Sequence, residues 1–260
     1  MRFSYWLIGI SIGFVILERL VPWRNGQRLF RPGWLRDVGF LALNGHFFSL
    51  LTAGLTGWVA LQATRLLQDA GVTLQGSPVP GWPPWSQFLV FFVLADLIQW
   101  TVHNMLHRVP VLWAFHKVHH SIHTMDFIGN FRFHWMEILV YKTAQWLPLV
   151  LLGAAPGVTF WVFVFTTFWG DLNHANLNVS LGPLGYVFNS PRMHLWHHDA
   201  SDEGGTAKNF GIVLSCWDFL FGTAFWPRDR SPERLGYPDD ESMPEGFLGQ
   251  VAWPLARRRV

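Results

Sequence analysis

The chain has 260 residues, half of them hydrophobic and only 14% charged, with a formal charge of +2 and a mean hydropathy of +0.21. Soluble domains carry about a quarter charged residues, so this balance excludes an ordinary water-soluble domain and points to a membrane protein. The charge is too small for a nucleic-acid binder, and a single cysteine, Cys216, excludes an intramolecular disulfide and any cysteine-based zinc site.

The N-terminal stretch "MRFSYWLIGISIGFVILERLVPW" has a charged start and an apolar run but no A-x-A-like cleavage site. It reads as an uncleaved membrane helix over residues 3–21. Further apolar segments cover 38–63, 86–106, 136–152 and 156–173. About 20 apolar residues cross a bilayer as a helix, which the second and third segments meet easily. The last two are short and separated by "GAAPG", consistent with two spans or one re-entrant hairpin. Between the second and third lies "QGSPVPGWPPW", a loop too rich in Pro and Gly to be helical. Beyond residue 180 the sequence is mixed and rich in Gly, Pro and Trp, as a region on the membrane surface would be. Sixteen tryptophans suit such an interface. The expected fold is an all-α membrane protein. It has four to five transmembrane or re-entrant helices and a cytosolic helical cap carrying the histidines. Its expected units are residues 1–85, 86–226 and 227–260.

If all five segments reach across, 17 of the 19 Lys and Arg residues fall on one side, and Arg2 and Arg65 alone lie on the other. The positive-inside rule places the rich side in the cytoplasm. That side also carries every histidine motif. The short chain and compact loops favour a bacterial inner membrane.

Twelve histidines are present, and nine fall into a pattern. "HNMLH" gives His103 and His107, "HKVHH" gives His116, His119 and His120, and "HLWHH" gives His194, His197 and His198. His174 ends the fifth segment. Residues three and four apart share one face of a helix, so each motif aims its imidazoles together. Neutral imidazole is a common ligand for zinc, iron, copper and nickel, and nine exceed what one ion can hold. Two ions with four or five nitrogens each would use them. Packing does not explain the grouping, because nine unpartnered imidazoles are costly to bury. His46 reads as an ordinary packed or surface residue, and His123 as a neighbour of the motifs.

No H-E-x-x-H of a zinc protease occurs. A nitrogen-rich set with few carboxylates suits iron that activates oxygen, with zinc as a possible substitute. Asp96, Asp171 and Asp199 stand near His103, His174 and His198 in sequence. Each is a candidate to accept the far N–H of a ligand histidine. Trp100, Trp113, Phe115, Phe131, Phe133, Trp169 and Trp196 are candidate lining for a lipid entry. Two other classes compete with an oxygenase: a non-catalytic membrane metal protein or transporter, and a zinc-dependent membrane hydrolase. A transporter would carry ionisable residues along the middle of its spans, and these spans are nearly uncharged.

Over residues 90–225 the sequence resembles the fatty acid hydroxylase/sterol desaturase superfamily of integral-membrane di-iron oxygenases. The resemblance rests on "DLIQWTVHNMLHRVPVLWAFHKVHHS", "MDFIGNFRFHWME", "NHANLNVSLGPLGYVFNSPRMHLWHH" and "KNFGIVLSCWDFLFGT". It implies two iron ions held by His103, His107, His116, His119, His120, His174, His194, His197 and His198. It further implies O2-dependent hydroxylation, desaturation or ether cleavage of a lipid. It also implies electrons from a separate donor, a ferredoxin or a cytochrome b5-like protein with its reductase. Fatty acyl, sterol or hopanoid, carotenoid and ether lipids all fit as substrates. Two positions depart from the family pattern. Some members have a histidine four residues after the one matched by His174, where this chain has Asn178. Members often read "RFHPLE" where this chain has Trp135 and Met136. Asn178 and His134 are therefore both candidates for a tenth ligand.

Overall fold

The computed structural model describes residues 3–71, 79–201 and 208–255; the side chains of His46, Ser49 and Pro80 lie outside that description, and with them the reading of His46. Helix α1 (Phe3–Leu20) is followed by α2 (Trp34–Ala42), which runs through a π-helical turn at Leu43–Phe47 into α3 (Phe48–Asp69). Next come α4 (Pro84–Arg108), α5 (Pro110–His120), α6 (Trp135–Leu151) and α7 (Pro156–His174). Three short helices complete the chain: α8 (Pro191–His197), α9 (Cys216–Phe221) and α10 (Phe247–Ala252). The described residues form no β-strand, only isolated bridges. The all-α architecture read from the sequence is the one observed.

Proline sets several of the helix starts. Helices α4, α5, α7 and α8 each carry Pro in the first turn, where its missing N–H costs nothing and its fixed φ suits a helix. Pro110 has a second effect. It holds Val109 extended at φ −95° and ψ 114°, which ends α4 and folds α5 back beside it. The "HNMLH" and "HKVHH" faces are thereby turned toward each other.

Helix α1, the continuous helix Trp34–Asp69 and α4 are long and apolar enough to cross a membrane. Their outer faces expose Ile8, Ile12 and Ile16, Leu50, Trp58 and Leu61, and Leu89 and Val93. Contiguous apolar faces of this size belong against lipid. Helices α6 and α7 form a hairpin that turns through Gly153 at φ +79°. The hairpin runs the length of α4: Ala155 N–H at its tip donates to Gln87 in the first turns of α4, at 3.2 Å. Between them Phe91, Phe92 and Ala95 pack with Leu149, Val158 and Val162.

A buried ion network ties the cap to the entrance of the bundle. Arg31 donates to Asp126 at 2.6 Å and to Asp37 at 2.8 Å. Arg132 lies 3.7 Å from Asp37 and donates to Ser121 and Gln250 at 2.7 and 3.1 Å. Burial pushes the Arg132 guanidinium down to about 9 against the opposing pull of Asp37. The C-terminal stretch, expected as a separate tail over 227–260, instead closes over this network as far as it is described. Trp253 packs with Phe40, Val118 and Tyr237 and donates its indole N–H to the Ala114 carbonyl at 2.9 Å.

Candidate metal centre

Nine histidines meet where α4, α5, α7 and α8 converge. Their ligand atoms form two groups, within each of which all lie within 4.8 Å of one another. One group is His103, His107, His116, His120 and His197; the other is His119, His174, His194 and His198. The two H-x-x-H-H motifs are used in exchange. "HKVHH" gives its i, i+4 pair, His116 and His120, to the first group and His119 to the second. "HLWHH" gives His194 and His198 to the second and His197 to the first. The repeated spacing is therefore what builds two adjacent sites from two short helices. The α4 pair joins the first group and His174 alone joins the second, so one group has five nitrogen donors and the other four.

Hydrogen bonds on the far side of several rings fix their orientation. His103 Nδ1 donates to the Phe210 carbonyl at 2.8 Å, His174 Nδ1 to Gly170 at 2.8 Å, and His197 Nδ1 to Lys208 at 2.7 Å. His116 Nδ1 donates to the Glu137 carboxylate at 2.8 Å. A proton fixed on Nδ1 leaves the Nε2 lone pair facing the centre.

The donor set fits metal ions on two observations. His107 and His198 have both ring nitrogens buried without a partner, and His116 Nε2 is likewise bare. Such groups are expensive unless something accepts their lone pairs. In addition, Nε2 atoms approach each other at 3.1 Å (His120–His197), 3.3 Å (His174–His119) and 3.2 Å (His194–His174). Nitrogens bound about 2.1 Å from one ion lie roughly 3.0 Å apart at right angles and roughly 3.4 Å apart at tetrahedral angles. The observed separations fall between those chords. Burial, followed by the neighbouring histidines, holds His116, His119, His120 and His198 well below the usual imidazole range. They stay neutral, the form that binds metal.

The carboxylates are arranged differently from the expectation for Asp96, Asp171 and Asp199. None of the three carboxylates hydrogen-bonds a histidine. Asp96 accepts from Val213 and Leu214 N–H at 3.1 Å each and from the Trp217 indole at 2.9 Å. Asp171 accepts from Asn130 at 2.8 Å, because the last turn of α7 already supplies the Gly170 carbonyl to His174. Asp199 holds Ser201 and Lys208. The carboxylate that does hydrogen-bond a histidine of the two groups is Glu137, 21 residues beyond His116, a separation that carries no local spacing signal. Asp218 was also missed. It accepts from Phe210 and Gly211 N–H at 2.8 and 2.9 Å and so fixes the strip whose carbonyl receives His103.

Neither candidate for a tenth ligand reaches the centre. His134 caps α6, accepting from Met136 N–H at 3.1 Å on Nδ1 and donating from Nε2 to the Val251 carbonyl at 2.9 Å. Both its nitrogens are used. Helix α7 stops at His174, with Ala175 extended at ψ 146°. Position 178 therefore leaves the helical face, and Asn178 is exposed. His123 pairs with Asp240 at 2.9 Å, away from both groups. Of the aromatics singled out in the sequence, Phe133 stacks on His119 at 4.2 Å and Trp113 lies against His107 at 4.9 Å. Phe115 lies against His134, while Trp169 and Trp196 pack against Phe188 and Phe225.

The family model for "Fatty acid hydroxylase" matches residues 88–223, which include all nine histidines. The chain belongs to the fatty acid hydroxylase family. Among curated proteins, the chain is similar to the ornithine lipid hydroxylase OlsE of Rhizobium tropici, 36% identical over 68% of this chain and 53% of that protein. It is 27% identical to the alkylglycerol monooxygenase of Danio rerio over 87% of this chain and 49% of that protein. It is 25% identical to methylsterol monooxygenase 1-3 of Arabidopsis thaliana over 53% and 47%. The chain thus spans about half the length of the curated relatives it matches. No solved structure matches it.

Proposed function

We propose that this chain is a membrane-bound di-iron oxygenase that hydroxylates a membrane lipid with O2 and external electrons. The observation that carries the reading is the five-and-four arrangement of nine buried histidines, with Nε2 atoms at metal-chord separations. His103, His107, His116, His120 and His197 would hold one iron, and His119, His174, His194 and His198 the other. The ions would supply oxygen activation and attack on an unactivated C–H bond.

The residues of the chain supply what such chemistry requires. Glu137 and the carbonyls of Phe210, Gly170 and Lys208 hold ring orientation. Trp113, Phe133 and Phe210 exclude water from the imidazoles. No nucleophile or general base is required. The relatives cited above carry names of lipid hydroxylases or monooxygenases, which supports hydroxylation over desaturation and a polar-headed membrane lipid as substrate. The match over 88–223 supports 86–226 as the catalytic unit. The basic side, with the centre, faces the cytoplasm of a bacterial inner membrane, where a ferredoxin or cytochrome b5-like donor supplies electrons.

The test is expression in a lipid-producing host under isotopically labelled oxygen gas. Lipids gaining one labelled oxygen atom, together with about two irons per purified chain, are the expected result. Loss of both signals in His119→Ala and in His197→Ala, one from each group, completes it. Lipids lacking two hydrogens and no oxygen gained would indicate desaturation. Zinc alone with no oxidised lipid would overturn the reading.

A further inference from the structure

The cap carries an apolar surface that the metal centre does not use. On α9, Phe219, Leu220 and Phe221 are exposed, and beside them so are Leu184, Tyr186 and Val187 of the turn at Gly182–Tyr186 and the residue after it, from 38% to 69% each. The two segments touch: the Tyr186 and Phe219 rings lie 4.9 Å apart. The one charged residue of α9, Asp218, points inward and is fully buried. Six large apolar side chains on one face of a water-bathed cap would be an aggregation hazard.

The position of this surface relative to α4 identifies what covers it. Phe221 stacks on Trp100 of α4 at 4.7 Å, and the Trp100 indole donates to Asp218 at 2.9 Å. From Pro84 to Trp100 the helix rises roughly 24 Å at 1.5 Å per residue, whereas a hydrocarbon core is ~30 Å thick. With the first turn of α4 at one edge of the core, Trp100 lies about 6 Å inside the other edge. Phe221, stacked on it, lies at the same depth. The apolar surface is thus continuous with the lipid-facing side of α4. Its rim is basic. Arg228 stacks on Trp226 and Tyr186 at 4.5 and 5.3 Å and donates to the Tyr186 hydroxyl at 2.9 Å, and Arg192 donates to the Arg228 carbonyl. Asp229 is the adjacent exposed acid. An apolar face with a ring of aromatic and Arg side chains is the composition of a segment lying in a bilayer interface.

We propose that α9 and residues 184–187 are seated in the acyl boundary of the leaflet on the histidine side, with Arg228 and Arg192 at its headgroups. The seat is a second membrane attachment, separate from the spans, and does not depend on the proposed activity. The test uses the full chain in phosphatidylcholine–phosphatidylglycerol vesicles, with Cys216→Ser as background. A nitroxide is placed at Leu220→Cys or, on the other segment, at Leu184→Cys. Val93→Cys on the outer face of α4 and Ser231→Cys on the exposed cap are references. Relaxation by oxygen is compared with relaxation by a water-soluble nickel chelate. The expected result is an oxygen-to-nickel ratio at 220 and 184 close to that at 93 and severalfold above that at 231. If 93 reads as lipid while 220 and 184 match 231, the seat is overturned and the surface faces water, as a docking face for a soluble protein would.

Discussion

Glu137 closes the "RFHWME" stretch that carries the family resemblance, yet nothing in its spacing points to His116, 21 residues before it. Its carboxylate receives the His116 N–H, and its second oxygen is buried without a partner. Replacing Glu137 with Gln keeps an acceptor, whereas Leu removes it and frees the His116 ring to turn. Glu137→Leu is expected to weaken metal retention by about 10–100-fold and Glu137→Gln by much less, read by competition with a chelator. Equal retention in both variants would remove Glu137 from the centre. Eight of the nine histidines were legible because their spacing is local, three and four residues within one segment of chain. Their acceptors were not, because most are carbonyls and carboxylates brought in from distant segments.

The same imidazoles make stability depend on pH. Burial holds the folded values of His116, His119, His120 and His198 below 6.5, so the unfolded chain binds more protons than the folded one as pH falls through that value. Their contribution is complete above the unfolded pKa and is lost as pH drops below it. A chelator-stripped sample in detergent should hold its melting temperature from pH 8 to 7 and lose it steadily below about 6. The slope should exceed that of one histidine, about 1.4 kcal/mol per pH unit. A flat profile down to pH 5 would mean that the rings are not kept neutral by the fold.

At the scale of elements, the long helices followed from apolar runs, and the loops between them did not. Residues 208–215 have no regular structure, yet they carry the Lys208 and Phe210 carbonyls that orient two histidines. The strip is held by buried carboxylates: Asp96 takes the N–H groups of Val213 and Leu214, and Asp218 those of Phe210 and Gly211. Burial pushes Asp218 up, and its four donors oppose this. Removing it in Asp218→Ala leaves buried N–H groups unsatisfied at about 1–3 kcal/mol each. The expected outcome is a lower melting temperature together with reduced metal content, since His103 loses its acceptor. Reduced stability with full metal content would separate the strip from the centre. His134 illustrates the reverse error. In sequence it resembles a spare ligand; in the fold its Nδ1 caps α6 by accepting from Met136 N–H, and its Nε2 is taken by the Val251 carbonyl over a hundred residues away.

At the scale of the whole molecule, the proposed sidedness is supported by charge and by the hairpin of α6 and α7 that runs beside α4. On that reading the C-terminal end of α3, at Asp69, and the cap are expected on opposite faces. With Cys216→Ser as background, Asp69→Cys and Ser231→Cys should react with an impermeant maleimide from opposite sides of sealed vesicles. Reaction of both from one side would overturn the arrangement. The bundle was legible as apolar segments, but the closure of residues 228–255 over Arg132 was not. That closure depends on Trp253 meeting α2 and α5 and on Gln250 accepting from Arg132, contacts between segments more than a hundred residues apart.

The π-helical turn at Leu43–Phe47 works as a phase shifter between two environments. Above it, α2 must present Asp37 to Arg31 and Arg132; below it, α3 must present a face to α6. Within it, Asn44 donates to the carbonyls of Phe131 and Phe133, both at 2.8 Å. An α-helix advances 100° per residue, so the one extra residue of a π-turn resets the angle between the two faces. Deleting a single residue here should restore a regular helix, yet unfold the cap. One part or the other would be turned by about a quarter of a revolution, and Asp37 would face away from its arginines while α3 kept its place. Limited proteolysis should then cut the C-terminal stretch in the shortened protein and spare it in the native one. In this chain the uninterrupted helix is the defective one, because the bilayer and the ion network each dictate an azimuth and only the irregular turn satisfies both.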